Sequence, residues 1–281
     1  MRAAFRCAPI VLLYCLSLSL IPAAPATGQP APASAQVPAP VPAPVPAPVP
    51  AQIPAQVPAQ LPNTLAQRLV ACTTCHGDPG KPPPRDERRY FPRIAGKPAG
   101  YLYHQLLNFR EGRRQYPLMT WMVTPLSDGY LREIADHFAA QHLAAAPLDR
   151  AGLPAADLAR GRQLVTQGDA GLKVPACIAC HGQRLTGTLP AIPGLLGLPR
   201  DYINAQFGAW RNGSRRAHAP DCMGTIAARL SLADVAAVSA WLASEPQPAD
   251  PAPQAASPQP LPLACGSAQQ AASTEAREQA R

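Results

Sequence analysis

Hydrophobic side chains recur at helical spacing in three pairs of segments, one member of each pair in either half of the chain. In each half a short amphipathic segment comes first, then a segment with an aromatic face, then a longer amphipathic segment. The predicted helices are residues 65–70, 101–109 and 128–140 in the first half, and 156–165, 202–210 and 232–242 in the second. A serine of N-cap type, Ser127 or Ser231, precedes each closing helix. No stretch alternates as a strand does, so the pattern predicts an all-α protein of two similar units.

Proline interrupts this helical pattern on both sides of the two units. Residues 27–62 are Val-Pro-Ala-Pro and Ala-Gln-Val-Pro repeats, and residues 246–281 are rich in Pro, Ala, Gln and Ser. Because proline fixes φ and removes a backbone donor, neither helix nor sheet propagates through such repeats. We expect a polyproline II spacer of about 100 Å at 27–62 and a loose, low-complexity tail at 246–281. Two domains, 63–146 and 149–245, lie between them.

Residues 1–26 have the parts of a secretion signal. Two arginines give a positive start, residues 8–21 are an apolar run too short to span a bilayer, and Ala24-Pro25-Ala26 offers small residues for cleavage after Ala26. The pattern predicts export to the periplasm. The long spacer that follows leaves a second possibility open, in which the signal is retained and tethers the domains near the membrane.

Two C-x-x-C-H motifs, at residues 72–76 and 177–181, carry the most informative chemistry. In this haem-attachment signature the two thiols add across the haem vinyl groups and the adjacent histidine binds the iron. A redox dithiol needs no histidine, and a zinc site built from both motifs would pair segments 105 residues apart and leave two ligands over. The sequence therefore predicts two haem c groups, with Cys72, Cys75, Cys177 and Cys180 as attachment residues and His76 and His181 as iron ligands.

An internal repeat selects the sixth ligand of each iron. Residues 101–112 match 202–213 at an offset of 101, and residues 119–138 match 223–242 at an offset of 104. Met119 corresponds to Met223, whereas Met122 corresponds to an isoleucine. Met119 and Met223 are therefore the predicted axial ligands, and Met122 is a packing residue. A core role for Met223, or ligation by the thiolate of the adjacent Cys222, remains the alternative.

The repeat also suggests how each histidine is oriented. Pro92-x-Ile-x-Gly matches Pro190-x-Ile-x-Gly. A carbonyl near Pro92 or Pro190 is a candidate acceptor for the ring N–H of the proximal histidine, which would fix its tautomer. The alternative is that these prolines only shape the loop.

The remaining cysteines predict a disulfide. Cys7 and Cys15 lie in the signal segment, which leaves Cys222 and Cys265 as an even pair in an oxidising compartment. We expect a bond between Cys222 and Cys265 that ties the tail to the second domain. Two free thiols are the alternative.

Charge bears on association more than on fold. The formal charge is +8, or +6 without the two signal arginines, and about four haem propionates would bring it close to neutral. Local arginine clusters, at positions 85/88/89/93, 110/113/114 and 211/215/216, predict electrostatic docking to an acidic redox protein. Propionate binding or simple solvation of these arginines is the alternative. Nucleic acid is not an expected partner of an exported haem protein.

Together, the motifs, the Tyr-x3-Gln-x3-aromatic-Arg-x-Gly pattern and the Met-x6-Leu-Ser pattern resemble the c4-type diheme cytochromes over about residues 63–245. The resemblance implies two class I cytochrome c folds side by side, with haems close enough for internal electron transfer. It also implies a carrier that takes electrons from a quinol-oxidising complex or a dehydrogenase and passes them to an acceptor such as a terminal oxidase.

Two other functions remain open. One is an enzyme of the diheme peroxidase or thiosulfate-oxidising type, in which one haem is open or unusually ligated. The methionine in both halves argues against it. The other is a fixed subunit of a membrane dehydrogenase or oxidase, which would share the carrier's chemistry and differ in attachment.

Overall fold

The computed structural model describes residues 64–77, 85–86, 89–141 and 154–279. The chain divides into two compact units, Met1–Gln56 and Val57–Arg281, and every described residue lies in the second. The predicted signal (1–26) and spacer (27–62) therefore lie outside the described residues.

The described residues are mainly helical, as the sequence predicts. Domain 1 contains α1 Leu65–His76, α2 Ala99–Arg110, α3 Pro117–Val123 and α4 Asp128–Ala139; domain 2 contains α5 Ala155–Thr166, α6 Ile178–His181, α7 Arg200–Arg211, α8 Cys222–Arg229 and α9 Leu232–Ser244; the tail contains α10 Gly266–Gln279. Two short antiparallel pairs, β1 Arg85–Asp86 with β2 Arg89–Tyr90 and β3 Gly187–Thr188 with β4 Ile192–Pro193, complete the fold.

Side-chain caps start the helices where the sequence places them. The Ser127 and Ser231 hydroxyls accept hydrogen bonds from backbone N–H groups in the first turns of α4 and α9, which confirms both predicted N-caps. The helices α3 and α8 were not predicted, because at 7 and 8 residues they are too short to show a clear period. Pro117 begins α3, and the Asp221 carboxylate caps α8.

Each domain has its own hydrophobic core. In domain 1, α2 packs against α3 and α4; in domain 2, α5 packs against α9, and α7 against α8 and α9. The first core is built on Leu69, Leu102, Phe109, Leu131 and Phe138, and the second on Leu164, Val165, Phe207, Val238 and Leu242.

The two domains meet across an approximate two-fold axis. The backbone N–H of Gln115 donates to the carbonyl of Ser214 (2.7 Å), and the N–H of Arg216 donates to the carbonyl of Arg113 (2.6 Å). At the offset of 101, Gln115 corresponds to Arg216 and Arg113 corresponds to Ser214. The two hydrogen bonds are therefore equivalent, one donated by each domain to the other. The repeat in the sequence is therefore also a symmetry of the structure.

The tail differs from the loose segment that its composition predicts. Gln254 adds to β3 as a parallel bridge, with its N–H donating to the Gly187 carbonyl and its carbonyl accepting from Leu189, both at 2.8 Å. Arg184 pairs with Asp250 at 3.0 Å, and α10 packs against α2. A proline-rich segment can add to a strand edge because only some of its backbone groups need to pair there.

Within the described part of the chain, no single helix is long and apolar enough to cross a membrane. The pair α8 and α9 reaches that length and composition together, but is bent by 114° at the junction.

The closest helix crossing depends on Gly161 in α5. A Cβ atom at this position would lie 2.7 Å from the Trp241 Cβ of α9 and closer still to the Ala237 carbonyl oxygen. Neither neighbour can yield without separating the two helices, because one is backbone and the other is the first atom of a side chain. The absence of a side chain at Gly161 is therefore what lets α5 and α9 approach each other this closely.

We therefore expect Gly161→Ala to lower the free energy of unfolding by about 2 kcal/mol, in the range typical of overpacked cores. Chemical denaturation of the haem-loaded protein measures it. Gly208→Ala in α7 is the matched control, since a Cβ there meets no atom within 4 Å; alanine should leave stability unchanged or raise it by up to about 1 kcal/mol. Equal effects at both glycines would contradict the close crossing.

Candidate haem sites

Two cavities with mainly apolar walls lie in the two domains, and each contains one complete set of the predicted residues. The first, of about 500 Å³, is lined by Cys72, Cys75, His76, Met119 and Met122 among others. The second, of about 170 Å³, is lined by Cys177, Cys180, His181, Met223 and Ile226 among others. The structure thus brings each histidine to the same cavity as the methionine that the repeat assigns to it. The sulfur, nitrogen and apolar lining of each cavity fits a haem c.

A glycine directly after each motif turns the chain away from the cavity. Gly77 has φ 88° and ψ 152°, and Gly182 has φ 83° and ψ 152°. Side chains other than glycine are strained at such positive φ values. Because these angles are nearly equal, both histidines come directly before the same kind of turn. His76 ends a twelve-residue helix, and His181 ends a four-residue helix.

Both histidine rings are held by a proline carbonyl. Nδ1 of His76 lies 2.9 Å from the Pro92 oxygen, and Nδ1 of His181 lies 2.7 Å from the Pro193 oxygen. A carbonyl can only accept, so each Nδ1 carries the proton and each Nε2 keeps a lone pair for a metal. Burial lowers the pKa of both histidines, against the opposing effect of the carbonyl, and so favours the neutral, ligating ring.

These contacts correct one part of the predicted repeat. The acceptor in domain 2 is Pro193 and not Pro190, so the offset of 101 already applies at Pro92. Gly96 and Gly197 bear this out, with φ values of 72° and 76°. Matching the Pro-x-Ile-x-Gly letters alone misaligned the second half by three residues, because the insertion lies before this segment and not within it.

The thiols do not have the properties of a redox dithiol. Burial raises the pKa of Cys177 to about 12 and also raises the pKa of Cys180. The pKa of Cys72 is raised by burial and by the neighbouring Cys75. Reactive dithiols have lowered pKa values, because the thiolate is the nucleophile. In the described ranges, moreover, no three His, Cys, Asp or Glu side chains cluster as a metal site would require.

Equivalent arginines hold the segments that carry the methionines. Nη1 of Arg110 donates to the Leu126 carbonyl (3.0 Å), and Nη1 of Arg211 donates to the Leu230 carbonyl (2.9 Å). Each bond joins the end of the aromatic helix to the loop after the methionine helix. The cavity itself does not separate Met119 from Met122, since both line it; the equivalence with domain 2 does.

A polar network that the sequence did not predict separates the two cavities. Arg114 donates to Gln105 and Gln206, both at 3.0 Å, while Arg215 donates to Gln206 at 2.6 Å and to Gln105 at 3.3 Å. Arg215 also reaches the Tyr101 hydroxyl at 3.3 Å. All these side chains except Arg114 line both cavities, so this network is a shared wall. The signal for it was present, because Arg114 and Arg215 keep the offset of 101.

The shared wall is rich in positive charge. Arg215 is 6% exposed, and burial lowers its pKa. Burial alone would raise the pKa of Tyr101, but Arg215, Arg114 and Lys97 together bring it down to about 8. In the described part of the chain neither Arg114 nor Arg215 forms an ion pair with a carboxylate. A buried and a half-buried cation that face only neutral acceptors suit an anionic group between them.

The second cavity is also bounded by the tail. Leu261, Leu263, Cys265 and Ala268 line it. The structure contains the predicted disulfide between Cys222 and Cys265, so Cys222 is a bonded sulfur beside Met223 and not a free thiolate. This bond ties the tail to the helix that carries the methionine.

No protein-family model matches the chain, but individual proteins do. It is 36% identical over 182 residues to the thiosulfate dehydrogenase electron acceptor of Thiomonas intermedia, a match that covers 63% of this chain and 79% of that protein. It is 33% identical over 177 residues to cytochrome c4 of Pseudomonas aeruginosa, covering 62% of this chain and 84% of that protein.

Comparison with solved structures shows similarity to the same kinds of protein. Reduced recombinant cytochrome c4 of Pseudomonas stutzeri matches with a TM-score of 0.52 and 31% identity, over 63% of this chain and 94% of that one. Thiosulfate dehydrogenase (TsdBA) of Marichromatium purpuratum matches with a TM-score of 0.52 and 34% identity, over 64% of this chain. The match spans 38% of the thiosulfate dehydrogenase chain.

Substitution of the methionines tests their assignment. We expect Met119→Ala and Met223→Ala each to convert one haem of the two to a high-spin form that binds carbon monoxide when reduced, because each loses its sixth ligand. Met122→Ala is the matched control in the same cavity and should leave both haems low-spin. Absorbance spectra with and without carbon monoxide measure this. Opening of a haem by Met122→Ala instead would show that the repeat alignment is wrong in domain 1.

Proposed function

We propose that this chain, which belongs to the c4-type diheme cytochromes, accepts electrons from a thiosulfate-oxidising dehydrogenase and passes them to an acceptor such as a terminal oxidase. The chain is a diheme electron-transfer cytochrome that carries two haem c groups and works with redox protein partners. The donor is inferred from the relative of Thiomonas intermedia, whose name states that role. A quinol-oxidising complex is the second candidate donor, on the likeness to cytochrome c4.

The observation that carries the carrier function is the equivalence of the two cavities. In this proposal Cys72 and Cys75, and Cys177 and Cys180, hold the two haems by thioether bonds. His76 with Met119, and His181 with Met223, close both irons. Haem iron with such ligands supplies reversible one-electron chemistry. The chain's own task is to hold the ligands still: the proline carbonyls orient the rings, and the apolar walls exclude water.

The shared wall gives the electrons a path inside the protein. We assign to Arg114 and Arg215 the role of binding haem propionates, since both are held by glutamines and lack carboxylate partners in the described residues. Negative groups at this position would offset the cost of burying the guanidinium groups. Two haems anchored on one wall would face each other across a few side chains, so that an electron taken up by one domain can leave from the other.

A carrier is favoured over a diheme oxidoreductase by the same equivalence. An enzyme needs an open coordination site or an unusual ligand at one iron. The disulfide at Cys222 removes the thiolate that could have supplied the unusual ligand, and a methionine lies on the wall of each cavity. We therefore propose that neither haem carries out substrate chemistry.

Location follows from the two terminal segments. The predicted signal (1–26) and the Cys222–Cys265 disulfide both favour an oxidising compartment, and we propose the periplasm. If the signal is retained, the spacer (27–62) would set domain 1 (63–146) at a distance from the membrane. Domain 2 (149–245) and the tail (246–281) follow domain 1 in the chain.

Electrostatic docking has less support than the arginine count suggested. Arg110 pairs with Asp128 and Arg113 with Glu111, both at 2.6 Å, while Arg114 and Arg215 lie in the shared wall. Arg216 is exposed, and the side chains of 85, 88 and 89 lie outside the described residues. We propose that these outer arginines steer the approach of an acidic partner, and that the bound contact depends on other residues.

The proposal is tested by mixing the haem-loaded, oxidised chain with a purified bacterial thiosulfate dehydrogenase and thiosulfate. We expect both haems to become reduced, at two electrons per chain, as read from the absorbance of reduced haem. Without the dehydrogenase the chain should stay oxidised. Reduction by thiosulfate alone would mean that the chain is itself the enzyme, and failure in the complete mixture would exclude this donor.

A further inference from the structure

We propose that the redox partner docks on domain 1, at an apolar face formed by Tyr116, Leu118 and Trp121, and that the C-terminal segment 246–271 closes the equivalent face of domain 2. The face is called the open face below, and residues 246–271 are called the strap. The inference deepens the proposed function, because it names where electrons enter or leave.

The open face lies directly over the first cavity. Trp121 is 76% exposed, Tyr116 53% and Leu118 49%. They lie on α3 or just before it, in the segment that also carries Met119. Tyr116 and Leu118 line the cavity on their inner side. A protein seated on this face would therefore be separated from the haem site by single side chains, which suits electron transfer.

The same three positions of domain 2 are different in kind. At the offset of 104 they are Pro220, Cys222 and Thr225. The exposed leucine of domain 1 is replaced by the cysteine that fastens the strap, and the exposed tryptophan by a threonine. The two faces thus occupy equivalent positions in the fold but differ in chemistry. The face of domain 1 presents apolar side chains to solvent, whereas the face of domain 2 carries the cysteine that is bonded to the strap.

The strap covers the part of this face around Pro220 and Cys222, whereas Thr225 stays exposed. The Gly266 N–H donates to the Pro220 carbonyl at 3.0 Å, and a Cβ at Gly266 would lie 2.7 Å from the His218 carbonyl oxygen. Leu261 and Leu263 of the strap line the second cavity. The strap therefore supplies to domain 2 the kind of apolar cover that the open face of domain 1 lacks among the described residues.

The strap is held at points well apart. Gln254 pairs with β3, the disulfide holds Cys222, and Ala271 of α10 is 6% exposed against α2. At Gly100 of α2 a Cβ atom would lie 3.2 Å from the Ala271 Cβ. The end of the strap therefore reaches domain 1 at α2, while no residue of the strap lines the first cavity.

A redox protein with an apolar contact surface is the occupant that fits. Domain 2 shows the chemistry that covers a haem cavity in this protein, since two leucines of the strap line the second cavity. A second copy of the chain on the open face, or the chain's own N-terminal segment, would cover both haem faces and leave a carrier no route for exchange. Large aromatic side chains at the centre of a contact also supply most of the affinity in protein complexes.

Replacing the tryptophan tests the open face. Trp121→Thr gives domain 1 the residue of domain 2, and we expect the second-order rate constant for reduction by thiosulfate dehydrogenase to fall about tenfold, as for loss of one interface anchor. Stopped-flow absorbance measures it. Leu232→Thr is the matched control: this side chain is also exposed, at 74%, but it begins α9 of domain 2 and lies outside the segment that carries Met119, so its replacement should leave the rate unchanged.

Loosening the strap tests the closure. In Leu261→Ser with Leu263→Ser the disulfide is intact but the apolar cover is weakened; in Cys222→Ser with Cys265→Ser the attachment is lost. Either pair should raise the rate constant for reduction of one of the two haems by a small reductant such as ascorbate, because the second cavity loses the apolar cover that Leu261 and Leu263 provide. Unchanged haem spectra identify the variants that are folded. A folded strap variant whose haems are both reduced by ascorbate at the wild-type rate would overturn the closure.

An electrode used in place of the partner protein tests the open face independently of which protein is the electron donor. On a gold electrode coated with a methyl-terminated alkanethiol, the wild type should exchange electrons and Trp121→Thr should do so about tenfold more slowly. If the dehydrogenase fails to reduce the wild type while the electrode result holds, the proposed donor is wrong and the open face stands. Equal rates for wild type and Trp121→Thr on both probes overturn the open face.

Two further outcomes would assign the face to another occupant. Sedimentation of the haem-loaded chain should show a monomer, and a dimer abolished by Trp121→Thr would identify a second copy. Hydroxyl-radical labelling of the full chain should modify Trp121. Protection of Trp121 in the monomer would identify the chain's own N-terminal segment. Either result overturns docking of a redox partner at this position.

Discussion

One buried and one half-buried guanidinium group at the approximate two-fold axis are the feature on which the arrangement of this protein depends. Arg114 and Arg215 each bond to the glutamines of both domains, so neither cation is satisfied by its own domain alone. Leaving a buried cation unpaired is costly, and this cost holds the domains in one relative position. The cavities share a wall because these side chains form it.

Symmetry at the axis does not extend to the outer faces. The inner parts of the domains repeat in detail, down to the proline carbonyl that holds each histidine and the arginine that holds each methionine loop. The outer faces differ because a strap fastened at Cys222 covers one of them. In the proposed function, electron transfer between the two haems would therefore connect an exposed site in domain 1 with an enclosed site in domain 2.

Much of the site was predictable because its chemistry is local. A C-x-x-C-H run brings two thiols and an imidazole together within one helical turn, and a repeat places the two methionines without knowledge of the fold. The prolines show where this reasoning fails: three residues of misalignment assigned Pro190 to a role that Pro193 fills. Matching residue types across an insertion does not show which atoms lie close together, whereas a hydrogen bond in the structure does.

The sequence by itself determined the helical class, the haem attachment residues expected in each domain, the N-caps Ser127 and Ser231, and the pairing of Cys222 with Cys265. These predictions depend on residues that are close together in the chain, or on the number of cysteines that remain to be paired. Only the tertiary structure decided that Arg114 and Arg215 share one wall, that the proline-rich strap is ordered, and that it covers one haem face and not the other. Those facts depend on contacts between residues more than 100 positions apart, and composition records no such contact.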